Sequence, residues 1–183
     1  MHKYITVIDV ETTGRTPGIH EIIQLSAMVV DTTDWQRVSS FTSLVRAYRI
    51  DVIDPEALRV NQISMDDIKR APTSESVRGA FLDWWVDLGI SDKINPCGWN
   101  YKFDEEFLKL FFGRVEYENL FYYKAVDVFP VAWVAQHAGI LDKSIDLSLA
   151  NASDTLDITH KPHDAYGDVY ATWKVLEILC GKL

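Results

Sequence analysis

The sequence predicts a mixed α/β sandwich, a central sheet covered by helices. Three observations carry this. The N-terminal quarter holds three β-rich runs, and the remainder alternates helical periodicities with short strands. The chain has 183 residues, 48% hydrophobic and 25% charged, which suits one domain (1–183) with one sizeable core.

Lys3 to Asp9 is an apolar strand running into acids and a Thr-Thr-Gly turn. Glu21 to Asp31 is a second strand. Gln36 to Tyr48 alternates loosely and gives a third, antiparallel to its neighbours. Asp54-Pro55 opens a short helix, with proline at the first helical position. Ser64 followed by Asp66 and Asp67 marks another helix start. From Ser74 to Leu88, Val77, Phe81, Trp84, Trp85 and Leu88 recur at helical spacing. Ile94 to Trp99 is a short strand feeding a helix from Tyr101 to Phe112, whose Phe103, Phe107, Leu108, Phe111 and Phe112 form one apolar face. Tyr122 to Val126 is read as a last strand, followed by a helix from Val128 to His137. A short helix around Leu147 to Ala150 precedes a closing helix from about Asp164 to Leu179. Most of the aromatic residues belong to core packing, with Trp99 and Phe103 the exceptions.

Cys97 and Cys180 lie far apart without CxxC spacing, as expected of reduced thiols rather than a bridge or a zinc site. The N-terminal apolar run is interrupted by acids, unlike a signal peptide, and no segment reaches the roughly 18 apolar residues of a membrane span. A soluble, cytoplasmic protein without a membrane partner is the expectation.

The residues able to do chemistry form three groups. Asp9 and Glu11 are two apart, so on a strand both carboxylates point to one face. Like charges side by side at the end of an apolar strand repel, and hard divalent cations remove that cost. Thr12, Thr13 and Gly14 follow as a polar turn where a backbone can approach a ligand closely. Asn100 and Asp104 are four apart and share a helix face. His163 precedes Asp168 by five residues, so a loop histidine and a carboxylate one turn into a helix can reach one site. A histidine titrates near neutrality and suits removing a proton from water. His160 is its nearest rival, whereas His2, His20 and His137 have no acidic partner at informative spacing.

In this order the three groups resemble the DnaQ-like DEDDh exonucleases of the ribonuclease H-like fold. The family's DxETTG appears as Asp9 to Gly14, its Asn followed by Phe-Asp as Asn100, Phe103 and Asp104, and its HxAxxD as His163 to Asp168. The resemblance spans Ile5 to about Leu179. It implies a ribonuclease H-like mixed central sheet flanked by helices. It further implies a 3′→5′ exonuclease that releases nucleoside 5′-monophosphates. Two Mg²⁺ or Mn²⁺ ions would be held by Asp9, Glu11, Asp104 and Asp168, with His163 as general base. Thr12, Thr13 and Gly14 would hold the 3′-terminal nucleotide, Leu58, Asn61 and Phe103 would wedge or stack against its base, and Asn100 would contact the sugar-phosphate. Asp127 resembles a structural aspartate of the family. Trp99 and Gln24 depart from it, standing where a histidine and an acidic residue are usual.

Single-stranded DNA 3′ ends, in a role such as DNA repair, are the favoured substrate. An exoribonuclease of oligoribonuclease or RNase T type uses the same acids and is the alternative. A binding module without turnover is a third reading, disfavoured because all five catalytic positions are filled. A homodimer or a replication or repair partner is left open. Asp146-Leu147-Ser148-Leu149 faintly resembles a clamp-binding peptide but is expected to be ordinary core helix, and the end at Leu183 favours a stand-alone enzyme. The formal net charge of −9 fits a site that repels phosphate until cations bind, and predicts weak, salt-sensitive binding.

Overall fold

A computed structural model describes residues 3–182. The chain lays down β1 (Tyr4–Thr12), β2 (Ile22–Asp31) and β3 (Gln36–Leu44) as an antiparallel meander. After a 3-10 turn at Ile50–Val52 come the helices α1 (Pro55–Asn61), α2 (Met65–Arg70) and α3 (Ser74–Asp87). The short strand β4 (Pro96–Gly98) leads into α4 (Lys102–Phe112) and α5 (Arg114–Leu120). Then follow β5 (Val126–Asp127), α6 (Val128–His137), α7 (Leu149–Thr155) and α8 (Ala165–Lys182). The five strands form one sheet in the order β3-β2-β1-β4-β5, with β4 and β5 joining parallel.

β1 is central, and burial on both sides explains its nearly continuous apolar run. Ile8 and Val10 face a core built with Val77, Phe81 and Trp85 of α3 and Phe107, Leu108 and Phe111 of α4. Ile5 and Val7 face a second core with Val128 and Ala132 of α6 and Val169, Trp173 and Leu176 of α8. Burying an aliphatic side chain of this size contributes about 1.5–3 kcal/mol before entropy is charged against it. A small third cluster joins Ile23, Ala47 and Ile68 to Leu58, Ile63 and Met65. Ser64 and Thr73 cap α2 and α3 through their side-chain oxygens.

The mixed sheet and the long helices match the sequence reading; several boundaries do not. β1 continues past Asp9 to Thr12, because β2 runs alongside and pairs Glu11 with Gln24. The third strand ends at Leu44, and Val45 turns its N–H to the Ile23 carbonyl. The strand expected over 122–126 shrinks to Val126–Asp127, with a single upstream bridge between Ile94 and Phe121. α5 was not foreseen; Gly113, at φ 86°, interrupts the α4 pattern and restarts a second short helix. Ser148 caps α7, and Leu147 and Leu149 pack into the second core, so the clamp-like tetrapeptide is helix start and core. Cys97 and Cys180 are both free thiols. Among the described residues no helix is long and apolar enough to cross a membrane.

Candidate active site

β1 outruns its neighbour. β4 pairs only with Thr6 and Val7, so the last part of β1 has a free hydrogen-bonding edge on that side. Asp9 and Glu11 project there from the face that also carries Ile5 and Val7, the face α8 covers. The free edge is where α4 arrives. Asn100, at φ 55°, turns the chain out of β4, helped by its N–H donating to Asp127 Oδ1. One turn into α4, the buried Asp104 accepts the Val10 N–H through Oδ1 at 3.0 Å. That bond satisfies a backbone donor otherwise left unpaired.

Asp168 enters from the opposite side. The loop before α8 crosses the helix at Gly167, where a Cβ would overlap the Lys161 carbonyl. This crossing sets His160 and His163 around Asp168. The His163 N–H donates to Asp168 Oδ2 at 3.0 Å, with His163 itself at φ 60°. His160 Nε2 lies 3.4 Å from Asp168 Oδ1, its side chain only 4% exposed, and this nitrogen has no hydrogen-bond partner. Gln24 reaches across from β2: its Oε1 accepts the Ala165 N–H, and its Nε2 lies 3.4 Å from Asp164 Oδ1. A neutral amide therefore anchors the start of α8 beside Glu11. The sequence marks Gln24 only as a departure from the family pattern, and no local signal shows its pairing opposite Glu11.

All five predicted catalytic residues, Asp9, Glu11, Asp104, His163 and Asp168, line one cleft of about 490 Å³. Their electrostatics are strained. Burial, then the charges of Asp104, Asp168 and Glu11, push Asp9 well above the usual carboxylate range. Burial and the nearby Asp168 and Asp164 raise Glu11 to about 8. Burial also raises Asp104 to about 8, against the opposing Val10 hydrogen bond. Asp168 is raised to about 6, burial outweighing the His163 N–H and His160. Glu11, His163 and Asp168 each bring a potential ligand atom within 4.8 Å of the others. Clustered oxygen donors with one imidazole suit a hard divalent ion, whose charge would relieve the repulsion. The residues present therefore fit such a cofactor.

The predicted substrate residues divide. Thr12, Gly14, Asn61, Asn100 and Phe103 line the cleft; Thr13 and Leu58 do not. Thr13 is buried as a tie between strand and loop: its N–H donates to the Glu21 carbonyl and its Oγ1 accepts the Glu21 N–H. Leu58 is turned to Ile23, Ala47 and Ile68, because α1 presents Ala57, Val60 and Asn61 to the cleft instead. The Asn61 amide donates to the Thr12 carbonyl, so its first duty is to hold the loop. Arg15, Asp54 and Glu56 also line the cleft without a signal in the sequence, as does Trp99, which the sequence sets apart from the core aromatics. His20, dismissed from the sequence, packs under Gly14 so closely that a Cβ there would overlap its ring, and its Nδ1 accepts the Thr16 N–H.

Comparison with known proteins finds similarity over most of the chain. The RNase_T exonuclease family model matches residues 6–176. An oligoribonuclease from Buchnera aphidicola subsp. Acyrthosiphon pisum (strain APS) is 28% identical over 154 residues, covering 77% of this chain and 79% of that protein. Among solved structures, the nuclease domain of 3′hExo, a DEDDh family member bound to rAMP, superposes with a TM-score of 0.78 at 20% identity, covering 99% of this chain and 93% of that one. Cell-death related nuclease 4 superposes at 0.79 with 16% identity, covering 98% of this chain and 64% of that one. E. coli exonuclease I in complex with a dT13 oligonucleotide superposes at 0.77 with 19% identity, covering 97% of this chain. The chain spans only 41% of that exonuclease I chain.

Proposed function

The chain belongs to the RNase_T exonuclease family, and from that premise we propose that it removes nucleotides one at a time from single-stranded 3′ ends. The carrying observation is the convergence of Asp9, Glu11, Asp104, Asp168 and His163 on one cleft from three separate stretches of sequence. Asp9, Glu11, Asp104 and Asp168 would hold two divalent ions, Mg²⁺ or Mn²⁺. When bound, the ions make a water acidic enough to attack and offset charge on the scissile phosphate and the departing 3′ oxygen.

The remaining work falls to the chain itself. His163 stands at the exposed mouth of the acidic cluster, where its imidazole removes the proton of the attacking water. The α8 start and the His163 N–H hold Asp168 in place. Phe103, Trp99, Ala57 and Val60 all line the cleft and offer apolar surface to a base, a contact indifferent to sequence. A cleft of about 490 Å³ is the size of a small-ligand pocket and suits an unpaired end rather than a duplex. The products would be nucleoside 5′-monophosphates.

DNA ends are the first reading. RNA is the second, and the oligoribonuclease relative favours it. Matched single-stranded, duplex and mismatched DNA and RNA substrates, assayed with Mg²⁺ and with Mn²⁺, decide between them. Asp9→Ala and Asp104→Ala are expected to abolish mononucleotide release while keeping a wild-type circular dichroism spectrum. Wild-type turnover in either variant would refute the assigned site.

A further inference from the structure

Behind the Gly14 turn lies a second cavity, of about 280 Å³, that the proposed chemistry does not use. Its floor is apolar, made by Ile22, Val45, Phe107 and Phe111. Its rim carries Ile19 and Leu110, 46% and 58% exposed. Three arginines converge on it: Arg46, Arg49 and Arg78. Each spends one N–H on a backbone carbonyl, those of Ala71, Gly18 and Phe111 respectively, at 2.7–3.0 Å. These bonds orient the guanidinium groups and leave most of their five donors free. None of the three forms an ion pair among the described residues, whereas Arg59, Arg70, Lys102, Lys109 and Lys174 all pair with acids on their own helices. The one carboxylate lining the cavity, Glu21, accepts the backbone N–H groups of Tyr48 and Arg49 through one oxygen. In a chain of net charge −9, a pocket lined by three arginines and one glutamate is an exception that suits an anion.

The cavity adjoins the catalytic cleft. His20 lines it and packs against Gly14 of the cleft, so one imidazole ring stands between the two. On α4, Phe103 faces the cleft and Phe107 the cavity, their ring centroids 5.0 Å apart. Guanidinium groups over an aromatic floor match the phosphate and base of a nucleotide. We propose that this cavity binds a nucleotide of the substrate strand outside the catalytic cleft, supplying the phosphate grip that the acidic cleft lacks. The assignment rests on the reading of the cleft as the seat of a 3′ end.

The test is binding of a fluorescent twelve-nucleotide single strand by fluorescence anisotropy in EDTA, where the catalytic cleft has no metal to hold phosphate and the arginine pocket dominates. Arg49 is exposed, so Arg49→Glu and the milder Arg49→Gln are expected to fold. Arg49→Glu should weaken binding about tenfold or more, and Arg49→Gln should flatten the salt dependence by about 0.7 in log K against log salt, the loss of one phosphate contact. In Mg²⁺, the ratio of kcat/KM for the twelve-mer to that for a dinucleotide should fall in both variants. The remote, exposed Lys143→Glu should do none of this. Equal losses in Lys143→Glu, or an unchanged salt slope in Arg49→Gln, would overturn the proposal. So would saturable, Arg49-dependent binding of free nucleoside monophosphate without any dependence on strand length. A protein that binds the strand through Arg49 yet releases no mononucleotides would defeat the exonuclease reading and leave this one standing.

Discussion

Asp168 shows how much a single carboxylate depends on its surroundings. One oxygen accepts the His163 N–H, and the other faces the buried His160 imidazole at 3.4 Å. Groups that orient a metal-binding side chain typically govern affinity by 10–100-fold. His160→Leu is therefore expected to weaken Mn²⁺ binding by about that factor in isothermal titration, and His160→Gln, which keeps a polar group beside Asp168, to recover much of it. Equal Mn²⁺ affinity in all three proteins would reduce His160 to packing. His163, proposed as the base, has a different signature. Its replacement by alanine should slow hydrolysis by roughly 10²–10⁴-fold and remove one limb of the pH–rate profile. An unchanged profile would rule it out as the base. These two histidines were only partly distinguishable in the sequence. The HxAxxD spacing singles out His163, but only the folded loop shows His160 under the carboxylate.

At the level of elements, the site depends on strands and helices ending at the right places. β4 stops early, β1 continues, and the exposed ladder edge is taken by Asp104 from α4. The loop 160–163 has to cross α8 at Gly167. Gly167→Ala should push the Lys161 carbonyl away, costing about 1–3 kcal/mol of stability. Its melting temperature should fall by several degrees and Mn²⁺ affinity should fall with it, because both histidines ride on that loop. A stable Gly167→Ala protein with native Mn²⁺ affinity would show that the loop can shift without carrying them. The helices were legible beforehand because periodic apolar faces, as on α3 and α4, are local signals. β5 and the end of β1 were not, since two-residue parallel pairing and strand length are set by neighbours far away in sequence.

Taken as a whole, the molecule concentrates repulsion in one place. Glu11 and Asp104 are raised to about 8 and Asp168 to about 6, above the roughly 4 of unfolded carboxylates. A folded state that holds protons more tightly than the unfolded one is favoured at low pH. For these groups that advantage is complete below about pH 4 and is lost as pH rises through 6 to 8. Metal-free protein in EDTA should accordingly lose thermal stability between pH 5 and pH 8. Mn²⁺ should raise the melting temperature at pH 8 and have a much smaller effect at pH 5. A flat melting temperature across that range in EDTA would show that the cluster is not under the stated strain.

The sequence alone determined the alternation of strands and helices, the apolar faces and the three motifs that mark Asp9, Glu11, Asp104, His163 and Asp168. Those signals are local: strand and helix periodicity, turn residues and short spacings lie within a few residues of one another. Tertiary structure decided what depends on contacts across the chain. It turned Leu58 and Thr13 out of the cleft, made Gln24 an anchor for α8, set His160 beneath Asp168 and gathered three arginines behind Gly14. Each of these joins residues separated by tens of positions, and no local pattern records which face a neighbouring element will cover.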